Sequence, residues 1–287
     1  MIKQSAPPSA GPAMRPETFA RFSDYIQDVL GIKMGYNKQV MLQARLMKRL
    51  RSLGLTSYEE YCAYLFSNEG QQSELPFFVH QVTTNKTDFF REPLHYEHLV
   101  QQVLPALLGE NTFSFQRPLR VWSSACSTGE EPYTLAMVLA DYAETHRLPD
   151  FSILGTDISP EVLQHAAQGV YDESRITPIP FPMKKKYLMH SRDPKKKQVR
   201  IVPELRAKVR LQWLNLKDLP YDIKERMDII FCRNVIIYFS RETQETVLSH
   251  MCSHLESGGY LFMGHSETLS GFALPLKQVA TTVYRKK

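Results

Sequence analysis

Four short stretches of the sequence gather side chains able to do chemistry at a shared site. The first is Ser123-Ser-Ala-Cys-Ser-Thr-Gly129-Glu-Glu131, small residues ending in paired carboxylates. Small side chains let a backbone approach a ligand closely. Yet the run holds one glycine and no GxGxxG, and two acids at a helix start would repel a pyrophosphate. They suit a ligand with hydroxyls and a cationic amine; the alternative is that acids sit there because the helix dipole favours them. The second is Asp157, closing an apolar run where a doubly wound sheet grips ribose hydroxyls, or else an ordinary acid ahead of a Ser159 cap. Turn and acid together point to a nucleoside-bearing, phosphate-poor cofactor, for which S-adenosylmethionine (SAM) is the leading candidate.

The third stretch is Phe231-Cys-Arg-Asn-Val-Ile-Ile-Tyr-Phe239. Arg233 and Asn234 fall at the end of an apolar strand pattern, over the cofactor, with Tyr238 within reach. Amino-group methyltransferases of nucleic acid often carry an Asn/Asp-Pro-Pro-aromatic turn here. This chain has no proline in the turn and has a cation instead, which suits an anionic substrate unless Arg233 forms a structural ion pair. The fourth is Thr83-Thr-Asn-Lys-Thr-Asp-Phe-Phe-Arg-Glu92, too dense in polar groups beside Phe89-Phe90 for a plain linker, though a capping loop ahead of Pro93 is the competing assignment.

The elements that must position these residues follow from apolar periodicity. Residues 1–16, rich in Pro, Ala and Ser, read as a disordered tail. Phe19, Phe22, Ile26, Val29 and Leu30 mark a first helix stopped by Gly31. Leu42, Leu46, Leu50 and Leu53 mark a second, with Asn37 as N-cap and Gly54 as stop. Thr56-Ser-Tyr-Glu59 reads as a capping box opening a third, which carries Tyr58, Tyr61, Cys62 and Leu65 inward; a fourth runs from about 73 to 81. An all-helical N-terminal domain is thus expected over 17–82, then a linker and connecting helix over 83–118. From 119 to 287 strands (119–123, 152–157, 227–231, 260–264, 280–285) alternate with helices (131–144, 160–167, 241–255). That alternation means an α/β domain with a doubly wound parallel sheet and a ligand at the switch point. Residues about 170–214 break the rhythm and read as an inserted subdomain.

Composition bounds the rest. The 287 residues are 43% hydrophobic and 23% charged, which excludes a disordered or collagen-like chain and fits about two domains. No apolar run reaches the ~18 residues of a membrane span, and the start lacks the apolar region of a signal peptide. Four scattered cysteines with no CxxC pair fit a reducing cytoplasm and argue against zinc. The net charge is +5, yet residues 183–210 hold eleven Lys and Arg against two acids; subtracting that +9 leaves −4 for the rest. One basic patch on an acidic body is not the footprint of a nucleic-acid groove.

Thr83–Glu92, Ser127-Thr-Gly-Glu-Glu-Pro-Tyr133, Phe231–Phe239 and Gly264-His-Ser-Glu267 resemble, in order, the signatures of the CheR family of chemotaxis receptor methyltransferases. The resemblance covers about residues 17–285. It implies a helical N-terminal domain, a SAM-dependent methyltransferase sheet with a small inserted β-subdomain, and O-methylation of glutamates on chemoreceptor cytoplasmic helices, with S-adenosyl-L-homocysteine as product. It implies that Asn85, Thr87, Arg91, Glu131, Asp157, Asn215, Leu216, Arg233 and Asn234 hold the cofactor. Arg91 and Tyr238 would position the target carboxylate. The expected partner is the glutamate-rich receptor bundle, met by Arg45, Lys48, Arg49 and Arg51 of the second helix, for which a solvated face is the alternative. A receptor C-terminal peptide is a further candidate partner at the insert, weighed against a solvated basic loop. A cytoplasmic monomer is expected, with no nucleic-acid partner.

The chemistry agrees independently, because a glutamate with pKa near ~4.3 is already an anion at neutral pH and needs no general base. His250 and His254 stand at helical spacing without a third ligand, so no metal is expected. Trp122 and Trp213 read as core. The competing functions are a nucleic-acid methyltransferase and a catalytically silent SAM-binding signalling module.

Overall fold

A computed structural model describes residues 13–109, 117–148, 150–193 and 195–287. Of the expected tail, residues 1–12 lie outside the described residues. The rest of it is ordered: Met14 is buried, the Arg15 N–H donates to Glu59 Oε1 (3.2 Å), and the first helix begins at Pro16, where a missing N–H costs nothing. The chain divides into two compact units that meet in sequence at Thr84 and Asn85.

The first unit is all helical. Helix α1 (Pro16–Leu30) buries Phe19, Phe22, Ile26 and Leu30 along one stripe and ends at Gly31, whose φ of 73° is left-handed. Helix α2 (Gln39–Ser52) buries Leu42, Leu46 and Leu50. A 3₁₀ turn over Tyr36–Lys38 precedes it, so Asn37 is not the cap expected for it. Helix α3 (Tyr58–Leu65) has its capping box one residue later than the sequence pattern suggests: Ser57 accepts from the Glu60 N–H (3.1 Å), while Glu60 reaches back to the Thr56 N–H (2.8 Å). Helices α4 (Asn68–Ser73) and α5 (Leu75–Val82) complete the unit. Helix α4 escaped the periodicity because Gly70 lies within it; a Cβ there would stand 1.9 Å from the Tyr64 carbonyl, so the position excludes any apolar side chain.

The second unit starts with α6 (Leu94–His98), a π segment (Leu99–Val103) and α7 (Leu104–Gly109). Strand β1 (Leu119–Ser124), helix α8 (Glu130–Thr145), strand β2 (Phe151–Asp157) and helix α9 (Pro160–Gln168) follow. A small insert holds β3 (Val170–Asp172), α10 (Phe181–Tyr187), β4 (Leu188–His190) and β5 (Gln198–Ile201), which form a three-stranded antiparallel sheet in the order β3-β5-β4. After α11 (Pro203–Arg206) come β6 (Val209–Trp213), β7 (Met227–Cys232), α12 (Arg241–His254), β8 (Leu255–Met263), β9 (Leu276–Ala280) and β10 (Val283–Lys286).

The main sheet runs β6-β2-β1-β7-β8-β10-β9. Strands β6, β2, β1, β7 and β8 are parallel, with helices crossing between them. Three sequence expectations are corrected here. The sheet is not wholly parallel, because β10 and β9 close it as an antiparallel pair. The expected insert to residue 214 is too long, because Val209–Trp213 pairs in parallel with β2 as the sheet edge. Trp213 is 52% exposed, since an edge strand has no second neighbour to cover it; its indole N–H donates to the Ile158 carbonyl (2.7 Å). Trp122 is buried as expected and donates to Thr156 Oγ1 (2.9 Å). The strand order reverses at β1, flanked by β2 and β7, so a ligand belongs outside the carboxyl ends of these three strands.

Candidate active site

At that switch point the backbone is repeatedly forced into left-handed conformations. Phe90 (φ 53°), Glu92 (56°), Ala125 (56°), Ser127 (51°) and Asn234 (57°) are all non-glycine residues with positive φ. Each costs of order 1–3 kcal/mol, and such strain persists only where surrounding structure over-determines it, typically at functional sites. All five lie in the segments that the sequence singles out.

The loop after β1 is held from both sides. Gly129 has φ 97°, and a Cβ there would meet the Tyr171 hydroxyl at 2.8 Å and Ala166 Cβ at 2.9 Å. Asp157, at the end of β2, accepts from the Ser127 N–H on Oδ2 (2.9 Å) and from the Ser159 N–H on Oδ1 (3.0 Å). These bonds fix the carboxylate across the loop. Ser127 Oγ donates to the Asn85 carbonyl (3.0 Å), joining the loop to the 85–92 segment. Phe90 N–H donates to Thr134 Oγ1 on α8 (3.2 Å).

The two acids at the start of α8 go separate ways. Glu131 accepts from Ser123 Oγ (2.7 Å) and from Arg233 Nε (2.7 Å). Glu130 accepts from Thr128 Oγ1 (2.6 Å) and from the Arg175 guanidinium (2.7 Å). Both acids are buried.

Arg233 is the hub of the site. It is 6% exposed and lies against the rings of Tyr96 and Phe231. Besides Glu131 it donates to the Arg91 carbonyl (2.8 Å), His95 Nδ1 (3.0 Å) and Tyr96 Oη (3.2 Å), and it faces Glu92 Oε2 at 3.6 Å. Burial works against the cation, but Tyr96, Glu131 and Glu92 outweigh it and its pKa is raised. The expected cation waiting for an anionic substrate is therefore corrected to a buried ion pair that orients Glu131.

His95 is pushed down to about 4 by burial and by Arg233. Arginine only donates, so neutral His95 accepts at Nδ1 and gives its Nε2 proton to Thr282 Oγ1 (2.9 Å). Glu92, His95 and His265 bring three ligand atoms within 4.8 Å of one another. The guanidinium already standing against Glu92 and His95 makes that cluster a poor host for a metal ion.

Asn234 keeps its strained backbone through Glu267. That carboxylate accepts from the N–H groups of Gly264 (2.7 Å), Asn234 (2.8 Å), Val235 (2.9 Å) and Ile236 (3.0 Å). Burial raises its pKa against the pull of these four donors. Gly264 is obligatory, because a Cβ would sit 2.6 Å from Asn234 Nδ2. The Gly-His-Ser-Glu motif thus anchors the Arg-Asn turn, a role the sequence reading left open. Asn234 Nδ2 donates to Glu92 Oε1 (3.3 Å).

The remaining expected residues are placed as follows. Thr87 is buried and Arg91 half-buried, its guanidinium donating to the Lys86 carbonyl (3.0 Å). Asn215 and Leu216 are buried in the turn after β6, where Asn215 Oδ1 accepts from the Lys217 N–H (3.1 Å). Tyr238 is half-buried in a 3₁₀ turn (Ile236–Tyr238) just beyond Asn234.

The four cations of α2, in the helical unit, divide sharply. Arg45 donates to the carbonyls of Gln81 (3.3 Å), Val82 (2.9 Å) and Thr83 (3.1 Å), closing the C-terminal end of α5. Arg49 grips Glu74 with two nitrogens (2.8 and 2.5 Å), and Glu74, 1% exposed, also accepts from Tyr61 Oη (2.9 Å). These two are corrected from docking cations to structural ones. Lys48 and Arg51 are exposed.

Sequence reasoning missed Arg175, Tyr171, His95, Tyr96 and the role of Glu267. Only Glu267 carried a signal, through its motif; the others are set by contacts far apart in the chain.

Comparison with known proteins agrees with this geometry. Residues 85–285 match the family model described as CheR methyltransferase, SAM binding domain, and residues 17–83 match the CheR methyltransferase, all-alpha domain. Among curated relatives, Chemotaxis protein methyltransferase 2 of Pseudomonas aeruginosa is 37% identical over 93% of this chain and 92% of its own length. The Chemotaxis protein methyltransferase of Borreliella burgdorferi is 35% identical over 94% of each chain. That of Escherichia coli is 37% identical over 93% of this chain and 89% of its own length.

Proposed function

Since the chain belongs to the CheR methyltransferase family and is a SAM-dependent chemotaxis methyltransferase, we propose that it methylates glutamate side chains on chemoreceptor cytoplasmic helices, for sensory adaptation. The observation that carries the cofactor side of this reading is a pair of buried, anchored carboxylates at the switch point. Asp157 and Glu131 set two negative charges at the end of β2 and the start of α8, which fits ribose hydroxyls and a cationic amine and repels phosphate. Asn85, Thr87, Arg91, Asn215, Leu216, Arg233 and Asn234 complete the proposed holding set, with Arg233 acting through Glu131. SAM supplies an electrophilic methyl group on a sulfonium centre.

The chain's own task is alignment and exclusion of water. A glutamate arrives ionised, so no side chain has to take its proton. Arg91 and Tyr238 are proposed to orient its carboxylate. Too strong a grip would stabilise the ground state and slow transfer, so one cation and one phenol suffice. Lys48 and Arg51 remain the proposed α2 contacts to an acidic receptor bundle. The edges of the β3-β5-β4 sheet offer a second docking mode, in which a receptor C-terminal peptide adds a strand. This reading puts the enzyme in the cytoplasm. Among the described residues no helix is long and apolar enough to cross a membrane.

The test uses receptor cytoplasmic fragments and methyl-labelled SAM, with and without the receptor's last residues. Label released as methanol by mild alkali is expected. Alkali-stable label, or label on nucleic acid, would favour the nucleic-acid alternative; binding without transfer would favour a silent module.

A further inference from the structure

We infer that Arg175 and Tyr171 make the inserted subdomain a wall of the cofactor site, with Arg175 a positioning residue that clamps the 85–92 segment onto the start of α8 and so sets SAM affinity. The inference rests on the proposed placement of the cofactor between those segments. It assigns to the insert a role apart from any docking of peptides.

Arg175 lies in the turn that follows β3. Its own N–H donates to the Asp172 carbonyl (2.9 Å), and the neighbouring Glu173 N–H donates to the Lys197 carbonyl beside β5 (3.0 Å). The subdomain therefore fixes where this side chain starts. From there one guanidinium nitrogen donates both to the Thr87 carbonyl (2.5 Å) and to Glu130 Oε1 (2.7 Å), while the other faces Asp88 Oδ1 at 3.3 Å. Glu130 is 1% exposed, and Arg175 is the cation that pairs with it in that buried setting. A single side chain thus spans three elements, and the two it joins carry Thr87 and Glu131.

Tyr171, on β3 itself, repeats the pattern with an aromatic ring. It packs edge-on against Phe89 of the 85–92 segment (centroids 4.9 Å apart), and its hydroxyl donates to the Thr128 carbonyl in the loop after β1 (2.8 Å). The same hydroxyl would stand only 2.8 Å from a Gly129 Cβ, so it also holds that position to glycine. Two residues four positions apart in the insert hold both halves of the cradle. Neither lies among the residues to which the resemblance gives a role.

The experiment titrates SAM calorimetrically into the full chain carrying Arg175→Ala, Arg175→Lys, Glu130→Gln or both Arg175→Ala and Glu130→Gln. Thermal midpoints without cofactor are measured in parallel. Arg175→Ala should weaken SAM about 10- to 100-fold at full stoichiometry, the loss expected for hydrogen bonds to charged groups. Arg175→Lys should recover only part, because an ammonium lacks the planar fork that spans Thr87 and Glu130. The double variant should bind no more weakly than Arg175→Ala alone. A merely structural role would lower stoichiometry and the thermal midpoint while leaving the Kd of the folded fraction unchanged. That result, an unchanged Kd throughout, or multiplicative losses in the double variant would overturn the inference. Asp157→Asn is the control for the reading beneath it. If Asp157→Asn leaves SAM binding intact, the cofactor placement fails; if only Arg175→Ala is silent, the clamp alone fails.

Discussion

Helix α2 and the cradle at the carboxyl ends of β1, β2 and β7 are both crowded with charge, and they use it differently. In α2 two arginines are consumed within their own unit, Arg45 on the end of α5 and Arg49 on Glu74, while Lys48 and Arg51 point to solvent. In the cradle no described acid of the Glu92, Glu130, Glu131, Asp157 and Glu267 set is left to water alone; each is tied to a cation, a hydroxyl or backbone N–H groups. The lesson is that residue type does not separate a docking charge from a structural one. What separates them is whether the fold supplies a buried partner.

The sharpest way to break this contrast is Arg233→Met. Removing the cation strands Glu131 and Glu92 in a buried site, and a loss of roughly 3–5 kcal/mol in unfolding free energy is expected from denaturant titration. A loss below about 1 kcal/mol would mean that the hub is dispensable. Next in size is Arg49→Ala, expected to cost roughly 2–3 kcal/mol by leaving the buried Glu74 without its cation. Lys48→Ala and Arg51→Ala should stay within about 0.5 kcal/mol of the parent in stability and raise KM for receptor fragments instead. The reverse ranking would return Arg49 to the docking surface.

A smaller effect lies in pH. His95 has a pKa of about 4 in the folded chain against 6.5 for an ordinary imidazole. Between those values the unfolded chain binds the extra proton, so stability should fall as pH drops from about 6.5 towards 4. His95→Asn, which keeps an acceptor towards Arg233 and cannot be protonated, should flatten part of that slope in thermal unfolding. His98 and His254, also lowered by burial, should leave a residue of it. An unchanged slope would show that His95 is not held neutral.

Much of the cradle was legible because its residues come as contiguous motifs. Thr83–Glu92, the loop to Glu131, and Phe231–Phe239 each place polar groups next to a strand or helix boundary that periodicity can find. Their partners were not legible. Arg233 meets Glu131 across 102 positions and Arg175 meets Thr87 across 88, and no local pattern encodes a contact at that distance. The alternation of strands and helices exposed the parallel core of the sheet. It could not show that β10 and β9 turn antiparallel, or that Val209–Trp213 leaves the insert to become an edge, because edge strands carry a weak apolar signal. The α2 arginines misled for the same reason as Arg233: helical spacing puts them on a face, but only tertiary contact says what that face meets.

The contrast between buried and exposed charge is tested most directly by ionic strength. KM for receptor fragments and Kd for SAM should be measured on the parent enzyme from about 50 to about 500 mM salt, over which exposed charges are progressively screened and buried pairs are not. The account predicts that KM rises severalfold while Kd for SAM changes by less than about twofold. Equal salt sensitivity of the two, or a Kd that moves while KM does not, would contradict it.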